Sequence, residues 1–147
     1  MNAIDLTTTP VLEITKVFKV SPARVFEAFI TPSLMKQWWG PASMTVPLCE
    51  LDAKLGGKWK TMMVNDEGEE FTVSGVYTKI NSPIELEFTW AWLEDGQRGQ
   101  ETTVNLKFTA VENGTRLDLV QGSFSDGCQA HHEGWMGGLT NLEELLA

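Results

Sequence analysis

Residues 84–92 read Ile-Glu-Leu-Glu-Phe-Thr-Trp-Ala-Trp, so that large apolar side chains alternate with mostly polar ones. An alternation with period two is typical of a β-strand that buries one of its faces. The segment from Thr102 to Phe108 repeats the pattern with Val104 and Leu106 on the apolar side. Both segments predict strands of a sheet with one apolar face, and such a face needs a cover.

The C-terminal segment is the predicted cover. Its apolar residues recur at steps of three and four, which is the spacing of an amphipathic helix, and this helix is predicted to begin near Ser125-Asp126. The stripe consists of Cys128, His132, Trp135, Leu139, Leu142 and Leu146. Between residue 43 and about residue 122, Gly-Gly, Asp-Glu-Gly, Asn-Ser-Pro, Glu-Asp-Gly and Asn-Gly clusters separate runs of strand length, as in an antiparallel meander.

The N-terminal part adds a strand and two helices. Val11 to Val20 alternates as a strand does, and Ser21-Pro22 and Thr31-Pro32 each combine an N-cap residue with a proline at the first helical position. The predicted order is therefore strand, two helices, six strands and one long C-terminal helix, which is an α+β fold.

Length and composition predict one domain and argue against two classes of partner. The 147 residues favour a single domain over residues 11–147 behind a flexible N-terminal tail at residues 1–10. A formal net charge of −9 opposes binding to nucleic acids and anionic membranes, so neither is an expected partner. The start of the chain lacks the basic and then apolar order of a secretory signal, and no apolar run approaches the ~18 residues of a membrane span. A cytoplasmic location is therefore expected.

Several short motifs occur together in the order and spacing of a known family. They are Ser21-Pro22 with Val25-Phe26, Trp38-Trp39-Gly40-Pro41, Asp52 with Gly56-Gly57 and Trp59, Gly75-Val76-Tyr77, the strand from Ile84 to Trp90, Gly114-Thr115-Arg116-Leu117, and His131 with Gly134-Trp135. With these motifs the sequence resembles the bacterial-type, single-domain members of the family named after the activator of a heat-shock chaperone's ATPase. That family lies within the START-like, birch-pollen-allergen superfamily, also called SRPBCC.

The resemblance implies a helix-grip fold, in which a curved antiparallel sheet wraps a long C-terminal helix and leaves a cavity between the two. It does not imply one activity, because relatives in the superfamily bind lipids and hormones, cyclise polyketides, serve as ligand domains of oxygenases or assist chaperones. Three hypotheses follow. The protein binds a small apolar or amphipathic ligand in the cavity, acts as a cyclase- or hydrolase-type enzyme there, or is a co-chaperone. The eukaryotic activator carries a further N-terminal domain where this sequence has only the short tail, which counts against the third.

Aromatic side chains provide the best positive evidence for a site. Large rings between sheet and helix either fill a core or line an apolar pocket, and both interpretations remain open for them. The candidate ligand-binding residues are Trp38, Trp39, Trp59, Met63, Phe71, Phe88, Trp90, His131 and Trp135. Of these, Trp38, Trp59, Trp90 and Trp135 are the first choices for a cavity wall.

No complete catalytic or metal-binding constellation is present in the sequence. Cys128 and His132 lie one turn apart but lack an orienting third group, and His131-His132 cannot easily chelate one ion because adjacent helical residues point about 100° apart. The carboxyl groups of Glu50 and Asp52 lie on one strand face, which alternation cannot assign to the cavity or to solvent. We expect no catalytic residue, metal or cofactor.

Cys49 and Cys128 form no disulfide framework, and a strand edge of an open sheet could support a homodimer.

Overall fold

The computed structural model describes residues 10–40, 44–125 and 127–147. The tail predicted at residues 1–10 therefore lies, except for residue 10, outside the described residues. In chain order the elements are β1 (Val11–Phe18), α1 (Pro22–Ile30), α2 (Pro32–Met35), β2 (Thr45–Leu51), β3 (Lys58–Val64), β4 (Glu70–Asn81), β5 (Glu85–Glu94), β6 (Gln97–Arg98), β7 (Thr102–Val111), β8 (Gly114–Gly122) and α3 (Cys128–Leu146).

The strands form one antiparallel sheet in the order β1-β8-β7-β5-β4-β3-β2, with β6 paired to the end of β5. The α+β helix-grip fold is confirmed, and so is the predicted order of elements, except that seven strands and not six lie between the two short helices and α3. The addition to the prediction is β6, which extends the Glu94-Asp95-Gly96 turn into a short hairpin by pairing Leu93 with Arg98.

Helix α1 begins where its capping residue predicts. The Ser21 Oγ accepts a hydrogen bond from the Arg24 backbone N–H at 3.4 Å, and Pro22 occupies the first turn. The buried face of the helix includes Phe26 and Phe29, whose ring centroids lie 5.2 and 5.7 Å from that of Phe108 on β7. This helix therefore covers one part of the apolar sheet face.

Helix α3 covers another part, and it begins later than predicted. Its N-cap is Gly127, which has a φ of +77°, a left-handed conformation that turns the chain before the helix starts at Cys128. Asp126 of the predicted start lies outside the described residues. The fully packed positions of α3 are Trp135, Gly138, Leu139, Leu142 and Leu146, whereas Cys128 and His132 of the predicted stripe are only half-buried.

The apolar face of β5 is buried as its alternation predicts, except at its start. Leu86, Phe88 and Trp90 are buried, but Ile84 is 57% exposed. Ile84 precedes the strand and belongs to a turn, in which its backbone N–H donates to the Asn81 carbonyl. It therefore points away from the core, and its place on the apolar face was wrongly predicted.

Strands β4 and β5 approach each other closely at Gly75. A Cβ atom at this position would lie 1.9 Å from the carbonyl oxygen of Thr89. That carbonyl accepts a hydrogen bond from the Trp59 indole at 3.0 Å, and the Thr89 Oγ1 accepts one from the Val76 backbone at 2.9 Å. Glycine at position 75 thus allows one threonine to orient the Trp59 ring.

We expect Gly75→Ala to lower the free energy of unfolding by about 1–3 kcal/mol, because the added methyl group forces the two strands apart. Urea denaturation followed by tryptophan fluorescence measures the change, and Thr72→Ala on the same strand is the control. An unchanged midpoint for Gly75→Ala would contradict the close approach.

Candidate functional site

A cavity of about 270 Å³ lies between α3 and the inner face of strands β3 to β5. The turn that follows α2 closes one side of it. The lining residues are Trp38, Trp39, Gly40, Met44, Met63, Phe71, Trp90, Trp92, Ala130, His131, Gly134, Trp135 and Gly138. This lining is almost entirely apolar.

The cavity has a buried floor and a more exposed rim. The floor consists of Trp38, Trp39, Met63, Trp90 and Trp135, each at most 6% exposed. The rim consists of Met44, Phe71, Trp92, His131 and Gly134, which are half-buried, and of Ala130, which is exposed. A molecule that enters past the rim would therefore be surrounded mainly by aromatic rings.

Hydrogen bonds hold three floor indoles in place. Trp38 donates through Nε1 to the Ala28 carbonyl at 3.0 Å, and Trp39 donates to the Thr61 Oγ1 at 2.9 Å. Trp135 donates to the Gln121 Oε1 at 2.7 Å. Because these polar edges bond outward to the scaffold, the rings present carbon surfaces to the cavity.

The floor rings meet edge to face or at a tilt. Trp39 lies 5.4 Å from both Trp38 and Trp135, at interplanar angles of 79° and 87°. Trp90 lies 5.5 Å from Trp135 at 40° and 5.7 Å from Trp39 at 53°. Such arrangements are those that aromatic pairs prefer, and each pair contributes roughly 0.5–1.5 kcal/mol beyond its buried area. The contacts among these rings therefore stabilise the floor of the cavity.

His131 lies at the rim with both ring nitrogens hydrogen-bonded. The Trp92 indole donates to Nε2 at 2.7 Å, and Nδ1 lies 2.7 Å from the Gly127 carbonyl oxygen. An indole N–H can only donate and a carbonyl can only accept, so Nε2 is the acceptor and Nδ1 carries the proton. Both ring nitrogens are therefore engaged in hydrogen bonds within the protein.

Of the nine residues proposed from the sequence, the structure brings all but two to the cavity. Trp59 and Phe88 are buried but do not line it. The Trp59 ring contacts Trp39 and Trp90 at centroid distances of 6.3 and 5.6 Å, and Phe88 packs between Trp59 and Tyr77 at 5.3 and 6.2 Å. These two rings are core residues that support the floor.

The nine candidates named from the sequence include neither the small residues on α3 that line the cavity nor the rim residue Trp92. Ala130, Gly134 and Gly138 are spaced at steps of four and all line the cavity. A Cβ atom on Gly134 would meet nothing within 4 Å, whereas one on Gly138 would lie 3.6 Å from the Trp38 carbonyl oxygen. The step of four between small residues is the signal that could have identified this face of the helix, and the alternation of β5 could have identified Trp92.

The two carboxyl groups whose strand face the sequence left open, those of Glu50 and Asp52, do not line the cavity. Glu50 and Asp52 are exposed, and Asp52 lies 3.6 Å from the Lys54 ammonium group. Among the described residues, no group of three or more His, Cys, Asp or Glu side chains could hold a metal ion. Across the same described ranges, no helix is both long enough and apolar enough to span a membrane.

Cys49 is the thiol with a strongly altered acidity. Burial raises its pKa to about 11, while the neighbouring Lys36 lowers it and Glu50 raises it by smaller amounts. The thiolate is the nucleophilic form of cysteine, so this side chain is a weak nucleophile near neutral pH.

The fold and the cavity together define a helix-grip domain with a pocket walled by aromatic rings. The family model for Activator of Hsp90 ATPase homolog 1-like proteins matches residues 19–147. The chain therefore belongs to this family, as the motifs around the paired tryptophans and the C-terminal histidine had indicated.

Solved structures support the same conclusion. The AHSA1 protein from Silicibacter pomeroyi is 34% identical and has a TM-score of 0.86, with 93% of this chain and 97% of that chain covered. A protein from Nitrosomonas europaea is 26% identical with a TM-score of 0.79, covering 92% of this chain and 93% of that one. A protein from Chromobacterium violaceum, 22% identical with a TM-score of 0.86 over 92% of this chain and 96% of its own, shares the fold. No curated protein matches the sequence significantly.

We expect Gly134→Ala to raise the free energy of unfolding by about 0.5–1 kcal/mol, since alanine is the better helix former and its methyl group would project into open space. Thermal and urea denaturation measure the gain. Gly138→Ala is the comparison, because its methyl group would contact the Trp38 backbone. A loss of stability in Gly134→Ala would show that the space beside this residue is filled.

We expect Cys49 to react slowly with iodoacetamide at pH 8 and faster as the pH rises toward 11, because its pKa is raised to about 11 by burial. Peptide mass spectrometry after timed alkylation of the native protein measures the rate at this residue, and the urea-unfolded protein is the control. The raised pKa of Cys49 also contributes to the free energy of unfolding. Because the thiol loses its proton at a lower pH in the unfolded state than in the folded state, this contribution is full below pH 9 and is lost between pH 9 and 11. Equal alkylation rates at Cys49 in the folded and unfolded protein at pH 8 would contradict the prediction.

Proposed function

We propose that this protein is a cytoplasmic binding protein that holds a small apolar or amphipathic molecule between α3 and the sheet. The observation that carries the proposal is the cavity of about 270 Å³ with its buried aromatic floor. Pre-formed cavities with apolar walls are the usual sites for small ligands.

The volume suggests the size of the ligand. An apolar cavity of about 150 Å³ binds benzene, so a cavity of about 270 Å³ would suit a molecule of two rings, or of one ring with a short chain. The rings of Trp39, Trp90 and Trp135 offer both edges and faces to it, which suits a ligand with aromatic character.

The same lining supports binding rather than acid–base catalysis. His131 is the one titratable side chain among the described lining residues, and its two nitrogens already bond to Trp92 and Gly127. A general acid or base needs a free nitrogen or oxygen within hydrogen-bond reach of the substrate. The structure therefore offers no observation that favours the cyclase or hydrolase alternative.

The family name describes activation of a chaperone's ATPase, and a co-chaperone role is tested separately by adding this protein to the chaperone and measuring ATP turnover.

Native mass spectrometry of the purified protein, followed by calorimetry with tetralin, tests the proposal. Tetralin is a neutral two-ring hydrocarbon, and we expect it to bind the wild-type protein. At about 100 times its Kd it would raise the free energy of unfolding by about 2.7 kcal/mol. Gly134→Leu places a side chain in the cavity and is expected to abolish both the binding and any co-purifying adduct.

Met136→Leu is the matched control, because Met136 lies on the same helix, is 41% exposed and does not line the cavity. It should bind tetralin as the wild type does. Tetralin that fails to bind the wild type, or that binds Gly134→Leu with unchanged affinity, would contradict the proposed site.

A further inference from the structure

A second concave surface lies on the face of the sheet that points away from the cavity. Lys58 and Lys60 on β3 alternate with the buried Trp59, so their side chains belong to this outer face. The outer groove has a volume of about 460 Å³ and takes its lining from strands β2 to β6. Its charged side chains are Glu50, Lys58, Lys60, Arg98 and Glu101.

The outer groove is locally cationic in an acidic protein. Three of the 11 basic side chains line it against two of the 20 acidic ones, which leaves eight basic and 18 acidic side chains for the rest of the chain. Interactions between exposed charges are largely screened beyond about 8–10 Å. An ion in the groove therefore responds mainly to these five groups and only weakly to the overall charge.

Arg98 is held in one orientation at this groove. Its Nε donates to the Ser74 Oγ at 3.3 Å, its Nη2 donates to the Ser74 carbonyl at 2.9 Å, and its Nη1 donates to the Glu101 Oε2 at 2.9 Å. A guanidinium group has five N–H donors, so one N–H on each terminal nitrogen is left over. A side chain that other contacts already order loses little entropy when it binds a further group.

Lys58 and Lys60 supply positive charge that no described carboxylate neutralises at close range. In strand register Lys60 lies between Glu50 on β2 and Ser74 on β4. Neither lysine forms an ion pair within the part of the chain that the structure describes. Residues two apart on one strand face have Cα atoms about 6.7 Å apart, so both flexible ammonium groups can reach one bound anion.

The number of donors narrows the class of anion. Three cationic side chains around one space suit a group with several acceptor oxygens and more than one negative charge. A phosphate monoester has three such oxygens and a charge near −2 at pH 7, whereas a carboxylate has two oxygens and one charge. Arginine and lysine are also the usual protein partners of phosphate groups.

We propose that the outer groove binds the phosphate group of a small, soluble phosphate monoester through Lys58, Lys60 and Arg98. A phosphate group fills only part of the groove, so the organic part of the molecule would lie along the half-buried Val76, with Glu50 as an acceptor for its hydroxyl groups. No residue lines both the groove and the cavity, so this site does not rest on the proposed function.

The test compares ribose 5-phosphate with ribose, which differ by the phosphate group. ¹H–¹⁵N spectra of the wild-type protein, titrated with each probe at low ionic strength, give the affinity and locate the site. We expect ribose 5-phosphate to shift the backbone signals around Lys58, Lys60 and Ser74, and added sodium chloride to weaken its binding. Ribose should leave these signals in place.

Lys58→Gln and Lys60→Gln each remove one charge at an exposed position and should fold as the wild type does. We expect each to weaken the binding of ribose 5-phosphate by about three- to tenfold, as for the loss of one charge-assisted hydrogen bond at an exposed site. Lys107→Gln is the matched control, because Lys107 is an exposed lysine on the outer face of β7 that does not line the groove. It should bind ribose 5-phosphate with the wild-type affinity.

Three results would overturn the inference. The first is a wild-type protein whose groove signals do not respond to ribose 5-phosphate or respond equally to ribose. The second is an equal loss of affinity in Lys107→Gln and the two groove variants, which would show attraction to surface charge without a site. The third is inorganic phosphate that binds as tightly as ribose 5-phosphate, which would reduce the site to one for a free anion.

Discussion

The buried hydrogen bond from Trp135 Nε1 to Gln121 Oε1 joins α3 to the sheet and determines where the cavity lies. Gln121 is completely buried in β8, and its Nε2 donates in turn to the Thr102 Oγ1 on β7 at 2.9 Å. An unpaired amide here would cost about 1–3 kcal/mol, so the three side chains hold one another in a single arrangement. This fixes the rotation of α3 about its axis, and the faces that the helix presents to the sheet follow from that rotation.

The cavity exists because that rotation places small residues opposite large ones. Trp135 is directed at β8. On the same helix, the small residues face the aromatic rings of β5 and of the turn that follows α2; they are Ala130, Gly134 and Gly138. At Gly138 the helix lies beside the Trp38 backbone, where an added Cβ atom would be 3.6 Å from the carbonyl oxygen. Three of the floor indoles, those of Trp38, Trp39 and Trp135, are also held in place, since their N–H groups bond to acceptors on the scaffold. Two sets of contacts that are each satisfied thus leave a volume between them.

The fold was predictable from the sequence because burial of one face is a local pattern. The alternation in β5 and β7 and the three-and-four spacing in α3 each predict an apolar face, and those faces have to meet. The site was less predictable. Alternation places Phe88 and Trp90 on one face of β5, but only the position of α3 determines that Trp90 meets the cavity while Phe88 is covered by Trp59 and Tyr77. The bond from Trp92 to His131 joins residues 39 apart in sequence, which no local pattern contains.

The arrangement of polar groups around the cavity determines what kind of molecule it can hold. At the rim, the His131 Nε2 accepts the N–H of Trp92, so this nitrogen is not available as an acceptor at the entrance. Throughout the protein, 20 acidic side chains outnumber 11 basic ones, and their long-range field repels anions before they reach the rim. A cation would find no carboxylate among the described lining residues. A neutral molecule would avoid both penalties, and this discrimination against charge comes from the distribution of charged side chains, which lie outside the cavity lining.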